Sequence, residues 1–143
     1  MKVLIHTISQ DAVIPSKGSS KAAGYDLYSI SQETILPGET KLIHTGLTMA
    51  IEDGYAGFIF ARSGLSTKEG LAPANKVGVI DSDYRGEIMV SLYNQSDKER
   101  TVTKGERIAQ LIFLRVDESE LVLCDSLDET ERGQGGFGST GKE

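Results

Sequence analysis

No segment of this chain carries the 3.6-residue apolar period through four turns of helix, so strands must do the work of burying its hydrophobic residues. Short runs of β-type residues are cut at frequent intervals by turn signals, at Leu36-Pro37-Gly38, Glu52-Asp53-Gly54, Asn94-Gln95-Ser96-Asp97 and Lys104-Gly105. That punctuation predicts an all-β sandwich or barrel. Within residues 86–93, Ile88, Val90 and Leu92 share one face by the period of two. Residues 108–116 are nearly all apolar on both faces, which predicts a central strand or an interface. Helix is confined to a turn or two around residues 63–68, with Ser63 as the candidate cap. Residues 14–23, with Pro15, Gly18, Ser19, Ser20 and two lysines, read as a loop.

A length of 143 residues at 38% hydrophobic suits one domain with its own core. Its expected division is a β-barrel body over residues 1–124 and an extended C-terminal arm over 125–143. The net charge of −6 argues against a nucleic-acid partner, because duplex binding draws on clustered Lys and Arg. An anionic ligand must therefore be met by a local cluster. No run approaches membrane-spanning length, and Met1 to His6 resembles a first strand more than a signal peptide. The single cysteine, Cys124, closes the apolar run 121–124 and is expected to be a buried, inert thiol. These features point to a reducing compartment, the cytoplasm, or the host cytoplasm if the chain is viral.

Residues 133–142 hold five glycines, Phe137, Ser139, Thr140 and Lys142. Glycines let backbone N–H groups approach a phosphate, the hydroxyls add donors, Arg132 and Lys142 supply charge, and Phe137 offers a ring face to a base. The spacing from Gly136 to Lys142 nearly spells a P-loop, but Glu143 stands where the magnesium-binding Ser or Thr belongs. A Gly-rich tail that folds over a nucleotide bound elsewhere fits the composition better than a functionless end, which leaves Phe137 and Arg132 unexplained.

Four further clusters carry polar residues that a plain β-domain has little need of. Asp26 sits in the apolar run 23–29, where it either satisfies loop amides or acts at a site. Arg62, Ser63 and Gly64 follow the apolar run 57–60, and together can set a guanidinium, a hydroxyl and free amides around one phosphate. The densest cluster spans residues 75–87. In it Asp81 and Asp83 are open to three readings: metal ligands, solvated turn residues, or a base with a bystander. Asn75 can read the imide edge of a pyrimidine, and Tyr84 can pack against a sugar. Lastly, Gln110 is polar within the apolar run 108–112, and its amide needs either a ligand phosphate or a neighbouring strand.

In this order, residues 23–29, 62–66, 78–87, 105–111 and 132–141 resemble the five motifs of the trimeric deoxyuridine triphosphatases over nearly the whole chain. The resemblance implies a distorted jelly-roll β-barrel of the β-clip type, a homotrimer with shared active sites, and C-terminal arms that reach distant sites. It implies hydrolysis of dUTP to dUMP and pyrophosphate with Mg2+, and no nucleic-acid or membrane partner. Asp81 is similar to the family's catalytic aspartate, which activates the water that attacks the α-phosphorus. Arg62, Ser63, Gly64 and Gln110 resemble the phosphate-holding residues. Asn75, Gly78 and Val79 resemble the uracil reader, and Tyr84 the ring beneath the deoxyribose. Phe137 is similar to the aromatic that closes over uracil, with Arg132, Gly138, Ser139 and Thr140 binding toward the γ-phosphate. Asp26 is implied in an outer shell of the metal. Ala61 departs from the pattern, which commonly has proline there, but removes no chemical group. His6 and His44 match no motif and are expected to be ordinary strand residues. Two rivals share the fold: a deaminase acting on dCTP, and a regulatory trimer without activity.

Overall fold

The computed structural model describes residues 1–136. Phe137, Gly138, Ser139 and Thr140 of the expected site lie outside the described residues. The first six strands are β1 (Val3–Thr7), β2 (Tyr25–Tyr28), β3 (Glu33–Ile35), β4 (Thr40–His44), β5 (Leu47–Ile51) and β6 (Tyr55–Phe60). They are followed by β7 (Leu71–Pro73), β8 (Gly78–Ile80), β9 (Met89–Asn94), β10 (Arg100–Val102) and β11 (Arg107–Arg115). Every pairing among them is antiparallel. Hydrogen bonding divides them into sheets ordered β2-β11-β6-β8, β4-β9-β7, β1-β5 and β10-β3, which wrap one core as a distorted jelly roll without closing into a continuous barrel.

The two-faced apolar run became β11, and it is the central strand, paired with β2 on one edge and β6 on the other. Its side chains Ile108, Ala109 and Leu111 are fully buried, with Leu27, Ile35, Ile43, Leu47, Ile88 and Leu92. Ile88, Val90 and Leu92 all face this core, as the alternation predicts. Gly57 of β6 is required by close approach: a β-carbon there would stand 3.1 Å from Leu111 and 3.3 Å from Ile51 and Ile80. Among the described residues no helix is long and apolar enough to cross a membrane.

Two local expectations are corrected. The helical turn exists, as a wide turn at Leu65–Glu69, but no side chain caps it and Gly64, not Ser63, stands at its N-terminus. Ser63 is itself drawn into the turn, so its hydroxyl is not placed to receive the first free N–H groups. Cys124 is exposed rather than buried. The last strand ends at Arg115, every residue from 114 to 134 is exposed, and Leu121 and Leu123 are 96% and 99% accessible. An apolar run is buried only where a surface meets it, and this one extends past the domain's own core.

Candidate active site

β2, β6 and β11 bring three separated segments to one place. In the registers of the central sheet, Gln110 lies opposite Asp26 on one side and Phe60 on the other, so the residues just after Phe60 reach the same end. Arg62 donates from Nε to Asp26 Oδ1 at 2.9 Å and from a terminal nitrogen to the Arg107 carbonyl at 3.2 Å. Arg107 in turn donates to Asp26 Oδ2 at 3.4 Å. Gln110 donates to the Ala61 carbonyl at 2.8 Å, so a neighbouring strand answers the need of that amide and locks the turn that carries Arg62. A cleft of about 230 Å³ opens here, lined by Gly24, Arg62, Ser63, Gly64, Arg107 and Gln110. Two guanidinium groups outweigh one carboxylate, and Asp26 orients Arg62 while leaving further guanidinium N–H groups for an anion.

A second cleft, of about 270 Å³, is built around β8. Its wall includes Asn75, Gly78, Val79, Asp81 and Tyr84. A tight turn bonded from Lys76 N–H to the Pro73 carbonyl at 3.0 Å, with Lys76 at φ 65, brings Asn75 back over β8. A side chain at Gly78 would come within 3.3 Å of the Asn75 amide, so glycine leaves the backbone edge and that amide accessible together. Beyond β8 the chain turns with Tyr84 N–H bonded to the Asp81 carbonyl at 3.2 Å. Arg85 closes the turn by donating to the Ser82 carbonyl at 2.6 Å. The Asp81 carboxylate is left exposed in the cleft, and Tyr84 donates its hydroxyl to the Glu87 carbonyl at 3.0 Å. Asp83 is exposed and lines neither cleft, which favours the bystander reading.

These clefts share no lining residue. In the β6–β8 register Gly57 faces Ile80 and Ile59 faces Gly78, so Asp81 lies beyond one end of the pair and Arg62 beyond the other. Arg62 is five residue steps on from Gly57, roughly 17 Å of extended chain. Within one chain, the Asp81 carboxylate and the Arg62 guanidinium line different clefts. Among the described residues, no group of three or more His, Cys, Asp or Glu side chains is disposed to hold a metal.

Residues 10–141 match the family model described as dUTPase. The chain belongs to the dUTPase family. It is 50% identical over 142 residues to the deoxyuridine 5'-triphosphate nucleotidohydrolase of Nautilia profundicola, covering 99% of this chain and 100% of that protein. A dUTPase mutant of Staphylococcus bacteriophage 80alpha, solved with dUpNHpp, superposes with a TM-score of 0.91 at 27% identity over 98% of both chains. A mutant dUTPase from phage phi11 of S. aureus, described with a structural Mg(II) ion, shares the fold with a TM-score of 0.83 at 22% identity, over 90% of this chain and 100% of that one.

Set against the dUTPase motifs, Arg62, Ser63, Gly64 and Gln110 gather with Asp26 in the first cleft, and Asn75, Gly78, Val79, Asp81 and Tyr84 gather in the second. Arg132 lines neither and donates within its own turn to the Gly135 carbonyl at 2.8 Å. His6 and His44 are strand residues, in β1 and β4. Sequence reasoning missed Arg107. It lies three positions before Gln110, a spacing that puts two side chains on opposite faces of a regular strand, but a bulge between Arg107 and Ala109 turns both into the first cleft. Glu87 was missed as well. Its carboxylate accepts from His44 Nδ1 and from the Gly46 N–H, both at 2.8 Å, a contact across 41 residues that no local pattern announces.

Proposed function

We infer that the chain hydrolyses dUTP to dUMP and pyrophosphate by attack of water at the α-phosphorus, which keeps uracil out of DNA and supplies dUMP for thymidylate synthesis. One observation carries the reading: Asn75, Asp81 and Tyr84 line a single cleft in a chain 50% identical end to end to a named dUTP nucleotidohydrolase. In this reading Asp81 takes a proton from water as the new oxygen–phosphorus bond forms, the bond to the α,β-bridging oxygen breaks, and pyrophosphate leaves. Asn75, with the backbone of Gly78 and Val79, selects a base with an N3–H between two carbonyls. Tyr84 packs beneath the deoxyribose and crowds out a 2′-hydroxyl. Arg62, Ser63, Gly64 and Gln110 hold the phosphates and answer the charge that develops on them. Phe137 closes over the uracil, with Arg132, Gly138, Ser139 and Thr140 toward the γ-phosphate.

Because the two clefts lie at opposite ends of the β6–β8 pair, a complete site needs two copies of the chain, and we propose the homotrimer of the family. The exposed Leu121, Val122 and Leu123 give such an assembly apolar surface to cover. The residues also suit magnesium carried by the substrate: no dedicated metal cluster stands among the described residues, and Asp26, only 14% accessible in its side chain, offers lone pairs beyond its arginine bonds to a metal-bound water. Bound there, magnesium supplies charge neutralisation to the phosphates. The proposed setting is the cytoplasm, or the host cytoplasm for a viral chain. The dCTP deaminase reading is less favoured, since it needs water activated at the pyrimidine ring. The test is pyrophosphate release from dUTP with magnesium, against dCTP, dTTP and UTP. Turnover of dUTP alone is expected; ammonia release from dCTP or inactivity toward all four would overturn the reading.

A further inference from the structure

Glu87 lies just before β9 and reaches to the end of β4, the strand with which β9 pairs, and to the turn that follows it. Its carboxylate is mostly buried, at 18% accessible, and both oxygens are used: Oε2 accepts from His44 Nδ1 and Oε1 from the Gly46 N–H. The turn it grips is itself rigid. Gly46 has φ 67 and packs so tightly that a β-carbon would stand 2.8 Å from Ser9 and 3.1 Å from Ala12, and its carbonyl accepts from the Ile8 N–H at 2.9 Å. One residue further on, Ile88 donates to the Leu47 carbonyl at 2.7 Å and accepts from the Thr45 hydroxyl. The chain after Tyr84 is thus stapled to the β4–β5 turn by four hydrogen bonds, two of them to the Glu87 side chain.

The same residue then reaches the second cleft through its backbone. The Tyr84 hydroxyl donates to the Glu87 carbonyl at 3.0 Å, so the position of the ring depends on where that carbonyl is held. The ring is 42% accessible and has no packed pocket to fix it from its outer side. A steric gate discriminates only as well as it is held in place, because a ring free to swing admits the extra hydroxyl.

We propose that Glu87 is the positioning residue for sugar discrimination, clamping through its carboxylate the carbonyl that seats Tyr84. The inference rests on the reading of Tyr84 as the element that rejects a 2′-hydroxyl. His44 and the Gly46 N–H anchor the clamp, and Glu87, itself on the wall of the second cleft, transmits their position to the Tyr84 ring.

The experiment compares kcat/KM for dUTP and UTP in the full chain, in Glu87→Ala, in Glu87→Gln and in Tyr84→Ala. Glu87→Ala is expected to lower the dUTP-to-UTP ratio about tenfold, the scale of one lost steric contact. Glu87→Gln keeps an acceptor for Gly46 and can donate to His44, so it should hold the ratio within about threefold of the parent. A purely structural loss reduces turnover of both nucleotides together and leaves the ratio where it was. If Tyr84→Ala relaxes the ratio and Glu87→Ala does not, the clamp is overturned while the role of Tyr84 stands. An unchanged ratio in Tyr84→Ala removes the reading of Tyr84, and the clamp with it. Should Glu87→Ala not yield folded protein, Glu87→Asp replaces it: one methylene shorter, it cannot span both partners, and an unchanged ratio there overturns the proposal equally.

Discussion

Gly86 lies against the ring of Tyr84 so closely that a β-carbon on it would overlap the phenolic oxygen. Glycine here is a requirement of space. Gly86→Ala should therefore expel the ring from its seat, and because Tyr84 is half-exposed, the ring can swing into water instead of straining the core. The expected outcome is a melting temperature lowered by only a few degrees, on the order of 1 kcal/mol, with a much larger fall in the preference for dUTP over UTP. Parallel thermal denaturation and kinetics check it, and an unchanged preference would separate the ring's seat from its function.

The separation of Asp81 from Arg62 along the β6–β8 pair makes a mixing experiment decisive. Asp81→Asn alone should lose about 10²- to 10⁴-fold in turnover while still binding a non-hydrolysable dUTP analogue, since Asn keeps the shape but takes no proton. Arg62→Ala alone should fail through the phosphates. If each site draws Asp81 from one copy and Arg62 from another, co-refolded mixtures regain activity, with about a quarter of sites intact after random equal mixing. No recovery, in particles shown by mass to be mixed, would mean that each chain holds its own site.

Asp26 ties the two arginines of the first cleft together, with Oδ1 on Arg62 and Oδ2 toward Arg107. Asp26→Ala leaves Arg62 held only through the Arg107 carbonyl. Loss of a hydrogen bond to a charged group costs about 1.5–3 kcal/mol, so KM for dUTP should rise about tenfold or more. A magnesium titration on the same variant tests the outer-shell role, which requires the half-activating concentration to rise; if only KM moves, Asp26 serves Arg62 and not the metal.

What the residues alone disclosed depended on how far apart the partners sit. β11 was legible because a run apolar on both faces has few places to go but the middle of a sheet, and the shared cleft of Asp81 and Tyr84 was foreshadowed by their closeness in the chain. Arg107 was hidden by a bulge, which changes which face a side chain takes without leaving a mark in the alternation. Glu87 was hidden because its partners, His44 at the end of β4 and Gly46 in the turn after it, lie more than 40 residues earlier. Cys124 misled for the opposite reason: local composition suggested burial, but among the described residues no surface covers the segment.

Glu87 also predicts an acid limb in stability. Burial pushes its pKa up, but hydrogen bonds from His44 and from the Gly46 and Thr45 backbone outweigh that, and the net shift is downward. A carboxylate with a depressed folded pKa adds stability that is fully present above its ordinary range, near about 4.3, and is lost as pH falls through the folded value. Glu87→Gln does not titrate. The stability gap between parent and variant seen at neutral pH should therefore shrink as pH drops below roughly 4, by denaturant unfolding at each pH. A gap constant across that range would show that the Glu87 carboxylate contributes no proton linkage.

The last prediction concerns residues 137–143. Among the described residues the buried core ends at Leu111, with Phe113 packed against it, and the chain from 114 to 134 is exposed throughout, so removal of the final seven residues is expected to spare the packing of the domain. Their composition nonetheless offers Phe137 as a ring to stack on a base, with Ser139 and Thr140 as donors to phosphate. Truncation after Gly136 should leave the melting temperature and the number of copies in the particle unchanged while lowering turnover of dUTP strongly. Phe137→Ala in the full chain should reproduce part of that loss, mainly in KM, because stacking on a base is worth about 1–3 kcal/mol. A truncated protein that retains full activity would show that the two clefts of the body suffice and that the glycine-rich end is no part of the site.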